Sequence, residues 1–251
     1  MSDGLTGGDA GIFTPASLVF SAGIRSAIGT FYRARLAGRV AGFAEMLDAY
    51  DRHWAKATAA DNPPVHFTDQ IEDADVMLNL ASRMIAAFFA DARPGEVIAV
   101  DEPFIVTLAP DLPPISGRID LIERRIDADG IRRLHLVDYK LSARRSAKDD
   151  LDFDLFPLFA LVGEQAGWAD TIGLPLALRV DVIAKSRTLE LANVPATSVR
   201  HKVDRLVERI RQCDRSMKSG VRFPAPSWSC LSCGFSELCA LWPERPPTQT
   251  Q

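Results

Sequence analysis

No cysteine occurs before position 213, and the four present, Cys213, Cys230, Cys233 and Cys239, crowd towards the C-terminal end. A disulfide framework would be spread along the chain, so this clustering leaves a metal site or chance. No apolar run approaches the ~18–20 residues that span a bilayer. The opening residues MSDGLTGGDAGIF carry neither the basic stretch nor the apolar core of a signal peptide. The expected setting is therefore soluble and cytoplasmic. There is no Gly-rich phosphate loop and no Gly-x-Ser-x-Gly turn, which argues against a nucleoside triphosphatase and an α/β-hydrolase. Positive charge is not in excess either. Lys and Arg number 29 against 33 Asp and Glu, a net charge of −4. No global field attracts nucleic acid, although local patches can still do so. What remains is an ordinary globular composition, 47% hydrophobic and 25% charged over 251 residues, long enough to bury a real core.

Residues 1–22, rich in Gly, Ala and Ser, read as a flexible N-terminus. A helical stripe then runs through Ile24, Ile28, Phe31, Leu36, Val40, Phe43, Leu47, Tyr50 and Trp54, in steps of three to five. Asp69 and Glu72 form a capping-box signal before a second helix marked by Met77, Ala81, Met84 and Phe88. After Gly95 the period changes. Segments 97–109, 115–126 and 131–140 are short and rich in β-branched residues, with turn-forming stretches at 111–114 and 127–130. They predict a three-stranded antiparallel meander. A helix over 151–167, strands over 176–186 and 188–194, and a last helix from Ser198 with Gly220 after its end complete the order. The folded region spans 23–222, and 223–251 is a cysteine-containing segment and tail. This is a mixed α/β domain.

The chemistry concentrates in Asp138-Tyr139-Lys140. Residues two apart on a strand share a face, so Asp138 and Lys140 point into one site while Tyr139 points away. A carboxylate binds a hard cation, and a neighbouring ammonium orients water or offsets charge on a phosphate. Six lysines among this many acids predict about one acidic-x-Lys triplet by chance, so the triplet needs support. Asp120, between Ile119 and Leu121 on the preceding strand, supplies it, because a purely structural strand prefers an apolar or β-branched residue there. Opposed residues of a hairpin have numbers with a constant sum. Asp120 and Asp138 share a face only if that sum is 258, which predicts a three-residue loop, Ala128-Asp129-Gly130, with Gly130 left-handed.

These residues resemble the PD-(D/E)xK nuclease superfamily, most closely its RecB-like exonuclease branch. The stretch ISGRIDLIERRIDADGIRRLHLVDYKLS carries its central pattern, with an Asp after Gly-x-x, a hairpin, then hydrophobic-Asp-Tyr-Lys. Segments 27–38, 154–165 and 227–239 are similar to its first helix, the helix after the Lys strand and its C-terminal cysteine segment. The resemblance implies a restriction-endonuclease-like α/β core, a mixed β-sheet flanked by helices. It further implies a Mg²⁺ (or Mn²⁺)-dependent deoxyribonuclease, an exonuclease in type. Asp120, Asp138 and the Tyr139 backbone carbonyl would bind the metal, and Lys140 would orient the attacking water. DNA is the implied substrate, with a helicase or other repair or recombination subunit as partner and no membrane. Three departures favour an alternative, a weak or inactive nucleic-acid-binding or scaffolding relative. Arg25 stands where the first helix often carries a metal-associated His. Leu155 and Phe159 stand where Gln and Tyr position DNA. No cysteine precedes the core.

Cys230, Cys233 and Cys239 read C-x₂-C-x₅-C, three ligands of a zinc or iron–sulfur site such as a 4Fe–4S cluster. Cys213 is the spare thiol, yet it falls on the apolar stripe of the last helix (Val199, Val203, Leu206, Ile210, Met217), where a free Cys packs as a small hydrophobe. A bound cluster, zinc and no metal all stay open. Basic runs over 118–148 and 200–222 are either solvated faces or phosphate contacts. His53 and His66 have no partners at ligand spacing, His135 is expected on an outer strand face, and Glu102 reads as a strand-end charge.

Overall fold

The structure, a computed structural model, describes residues 13–59, 64–67, 73–142, 155–184 and 188–221. Two minimal strands, β1 (Thr14–Pro15) and β2 (Val65–His66), pair in parallel. The body is a five-stranded mixed sheet in the order β3 (Glu96–Val106), β4 (Ile115–Ile126), β5 (Arg132–Ser142), β6 (Leu176–Ala184) and β7 (Thr188–Pro195). Only β5 and β6 are parallel. Parallel neighbours need a crossover connection, which here contains α4 (Leu155–Gln165) and α5 (Trp168–Ile172). The expected meander is β3-β4-β5, and the mixed α/β core flanked by helices is as expected.

The first helical stripe is two helices, α1 (Ala16–Leu36) and α2 (Phe43–Ala57). The break falls after Leu36, over residues 37–42, where the stripe keeps its helical spacing through Val40 to Phe43. Leu36 and Val40 are exposed, and Gly38 takes φ +74°, a conformation open to glycine at no steric cost. Helix α1 also begins inside the stretch read as a flexible N-terminus, with Ala16, Val19 and Phe20 buried. Helix α3 (Ala74–Asp91) is capped by Asp73, whose carboxylate accepts the Asp75 N–H at 2.6 Å. Asp69 and Glu72, the expected capping box, lie outside the described residues.

Two cores sandwich the sheet. Helices α1, α2 and α3 cover one face, where Ile24, Ile28, Phe31, Met46, Met84 and Phe88 meet Leu121, Val137, Tyr139 and Ile183. Helix α4 and a 3₁₀ segment, Ala196–Lys202, cover the other, where Phe156, Phe159 and Val199 meet Ile119, Ile122, Leu134, Leu136, Leu178 and Val180. Each fully buried large apolar side chain contributes roughly 1.5–3 kcal/mol. Because β5 is covered on both faces, His135 is completely buried rather than on an outer face, and burial lowers its pKa. It lies beside a buried ionic cluster. Arg179 donates to Glu123 at 2.6 Å and to Asp181 at 3.0 Å, and Glu123 also accepts the Gly95 N–H at 2.8 Å.

The last helix, α6 (Val203–Lys218), follows the 3₁₀ segment directly. Its stripe is buried at Val203 and Leu206 only. In the later turns the buried residue is Asp214, held by Lys218 at 2.7 Å, whereas Cys213 and Met217 are exposed. One residue is about 100° of helix rotation, so Cys213 points to solvent and not into the apolar core expected for it. Cys230, Cys233 and Cys239 lie outside the described residues. No helix among the described residues is long and apolar enough to cross a membrane.

Candidate active site

Strands β4 and β5 pair from Ile126–Arg132 to Leu121–Val137, every pair summing to 258. The turn closes as the register requires. Asp127 donates its N–H to Ile131 at 3.0 Å, Gly130 donates to Asp127 at 2.9 Å, and Gly130 takes φ +78°. Beyond Leu121 the two strands part. Residues 115–119 pair only with β3, and residues 138–142 only with β6. Where the ladder opens, the Asp120 carboxylate takes the next hydrogen bond itself, accepting the Tyr139 N–H at 2.7 Å. Departure from the ladder thus sets a carboxylate beside the following strand.

Asp138 alternates with Tyr139, whose ring is buried in the first core and stacked on Tyr32 at 6.3 Å. Asp138 and Lys140 accordingly share the opposite direction. The Asp120 and Asp138 side chains are 17% and 21% exposed. Burial and the charge of Asp120 push the Asp138 carboxyl up to about 6, with Arg25 and Lys140 pulling the other way. Proximity to Lys140 and Asp120 is the arrangement expected of the triplet.

Arg25, from the middle of α1, completes the cluster. Its guanidinium donates to the Asp120 carboxylate and to the Tyr139 carbonyl oxygen, and lies 4.0 Å from Asp138. The same helix face supplies Ala22, Ser26, Gly29 and Arg33 to a cleft of about 310 Å³ that Asp120, Asp101 and His53 also line. Three cleft residues were not legible beforehand. Asp101 sits in β3 with φ +59°, the only left-handed non-glycine residue among those described, and binds Arg118 through its carboxylate and carbonyl. Its neighbour Glu102 lies across from Ile119. A single acid in an alternating strand carries no mark of a backbone irregularity. Arg33 follows Arg25 by eight residues, a repeat of the same helix face. His53 comes from α2 and was read as an ordinary polar residue.

The donor chemistry suits a hard divalent cation, since two carboxylates and one carbonyl converge on one point. Among the described residues no group of three or more His, Cys, Asp and Glu side chains could hold a metal. Any such ion would rest on Asp120, Asp138 and the Tyr139 carbonyl. Leu155 and Phe159 pack in the second core, with Phe159 edge-on to Phe104 at 6.3 Å. The basic runs are interleaved with acids. Arg132 pairs with Glu96, Arg133 with Asp127 and Asp129, Arg200 with Glu164, and Arg211 with Asp111 and Glu208. These residues are ion-paired, Arg133 with Asp127 largely buried and the others partly or well exposed.

Residues 26–240 match the model of the PD-(D/E)XK nuclease superfamily. A comparison with curated proteins finds no match. Among solved structures, one described as the crystal structure of SSO0001 aligns over 90% of this chain and 95% of its own, at 12% identity and a TM-score of 0.36.

Proposed function

Since the chain belongs to the PD-(D/E)XK nuclease superfamily, we propose that the cleft is the active site of a metal-dependent deoxyribonuclease of RecB-like exonuclease type. The observation that carries this reading is the convergence of Asp120, Asp138 and the Tyr139 carbonyl where β4 leaves β5, with Lys140 on the face of Asp138. These oxygens would hold Mg²⁺ or Mn²⁺. A bound divalent ion would polarise the scissile phosphate and lower the pKa of an attacking water. Lys140 orients that water and offsets charge developing on the phosphate. Tyr139, locked between the sheet and Tyr32, fixes the carbonyl in place. Arg33 adds positive charge to the wall facing the phosphates.

One experiment tests the assignment. The purified chain is incubated with end-labelled single- and double-stranded DNA and Mg²⁺ or Mn²⁺, beside Asp138→Ala. Cleavage that disappears in the variant supports the reading, and equal cleavage by both sinks it. A second reading, a weak or inactive nucleic-acid-binding relative, draws on the Arg25 guanidinium seated on Asp120 and on the burial of Phe159. Its signature is DNA retention without turnover under every metal tried.

A further inference from the structure

The candidate metal centre already contains a cation. One Arg25 side chain donates to Asp120 and to the Tyr139 carbonyl and lies 4.0 Å from Asp138. Those are the three oxygen sources that would hold the divalent ion. Mg²⁺ needs its ligand oxygens at about 2.0–2.1 Å in near-octahedral array. A guanidinium on these oxygens occupies lone pairs the ion would use, and two cations at one point repel. The guanidinium therefore yields the position only by moving.

The structure gives it room to move. Arg25 is 38% exposed, and its neighbours on the same helix face, Ala22, Ser26 and Gly29, are small. The cleft of about 310 Å³ opens along them. A guanidinium placed only to stabilise the fold is enclosed instead, as Arg179 is, 2% exposed between Glu123 and Asp181. Building on the proposed nuclease reading, we propose that Arg25 is a resident competitor for the metal position. It holds the two carboxylates together until a divalent ion displaces it into the cleft, and it thereby sets the metal affinity of the protein.

The test uses Mn²⁺ alone as probe, its binding followed by electron paramagnetic resonance and by calorimetry on the full chain. Removing a positive charge within hydrogen-bonding reach should tighten Mn²⁺ binding by about tenfold or more in Arg25→Gln and Arg25→Ala. Adding Asp120→Asn to Arg25→Gln should erase the gain, which assigns it to this centre. Unchanged or weaker Mn²⁺ binding in both Arg25 variants, with wild-type binding abolished by Asp120→Asn, overturns the proposal and leaves the nuclease reading standing. Absence of Mn²⁺ binding in every form overturns both. A measurement on the wild-type chain stands apart from the folding of any variant. In ¹⁵N-labelled protein, Mg²⁺ should shift the Arg25 Nε–H resonance together with the Tyr139 amide. A Tyr139 amide that shifts while Arg25 stays fixed also overturns the proposal.

Discussion

Two clusters in this molecule have the same composition, one arginine between two acids, and opposite surroundings. Arg179 with Glu123 and Asp181 is sealed beneath the helices on the sheet, with Glu123 fully buried. Arg25 with Asp120 and Asp138 sits where two strands part and opens on the cleft. In the first, every partner is fixed and charges are compensated where water cannot reach. In the second, burial and the neighbouring Asp120 charge push the Asp138 carboxyl up to about 6, while solvent remains at hand. Charges buried for stability are paired and enclosed. Charges kept for chemistry tolerate mutual repulsion and leave a way in.

The largest expected effect separates the clusters by activity. Asp120→Ala, Asp138→Ala and Lys140→Ala should each lower DNA cleavage by about a thousandfold or more, corresponding to several kcal/mol of lost transition-state stabilisation. The fold should stay intact by circular dichroism. Wild-type cleavage in Asp138→Ala would remove the site. Next comes Arg179→Met, which leaves two carboxylates buried without their cation and should destabilise by about 3–5 kcal/mol in urea unfolding. An unfolding midpoint like that of wild type would show that the cluster is not enclosed as described.

A third prediction concerns pH. The Asp138 carboxyl ionises near 6 in the fold, against 3.8 for an ordinary aspartate. Between those values the folded protein holds a proton that the unfolded chain has released. The resulting stabilisation is full below about pH 4 and is lost as pH rises through 6. Asp138→Asn should therefore be more stable than wild type at pH 8, by on the order of 2 kcal/mol, and the difference should shrink towards pH 4. Thermal melts across that range, without added divalent ions, decide it; a gap independent of pH contradicts it. The smallest effect belongs to a third arginine–acid pair, Arg39 with Glu45, bidentate and exposed on α2's side. Arg39→Ala should leave the melting temperature within error of wild type, since water already solvates both ends. A clear fall there would break the rule that enclosure separates the clusters.

The candidate site residues were readable because strand alternation and a hairpin's constant sum are local geometry. Asp120, Asp138, Lys140 and the left-handed Gly130 all follow from spacing within one hairpin. Asp101 and His53 were not readable, because they reach the cleft from β3 and α2, whose approach depends on packing. Arg25 was legible as a departure from a resemblance, but its seat on Asp120 was not. His135 shows the same limit, since alternation says which residues share a face and nothing about whether a helix layer covers it. The break between α1 and α2 was not readable, because Leu36, Val40 and Phe43 keep helical spacing across it.

The β3-β4-β5 meander, the turn at 127–131 and the register of the β4–β5 hairpin were determined by the sequence alone, through periodicity, turn chemistry and hairpin geometry. Tertiary structure decided the rest: that both faces of β5 are buried, that β4 leaves β5 at Asp120, and that α1 delivers Arg25 to the same oxygens. The physical reason is range. Periodicity and register are set by neighbours a few residues apart, whereas Arg25 and Asp120 are 95 positions apart and meet only because the first core packs α1 against the sheet.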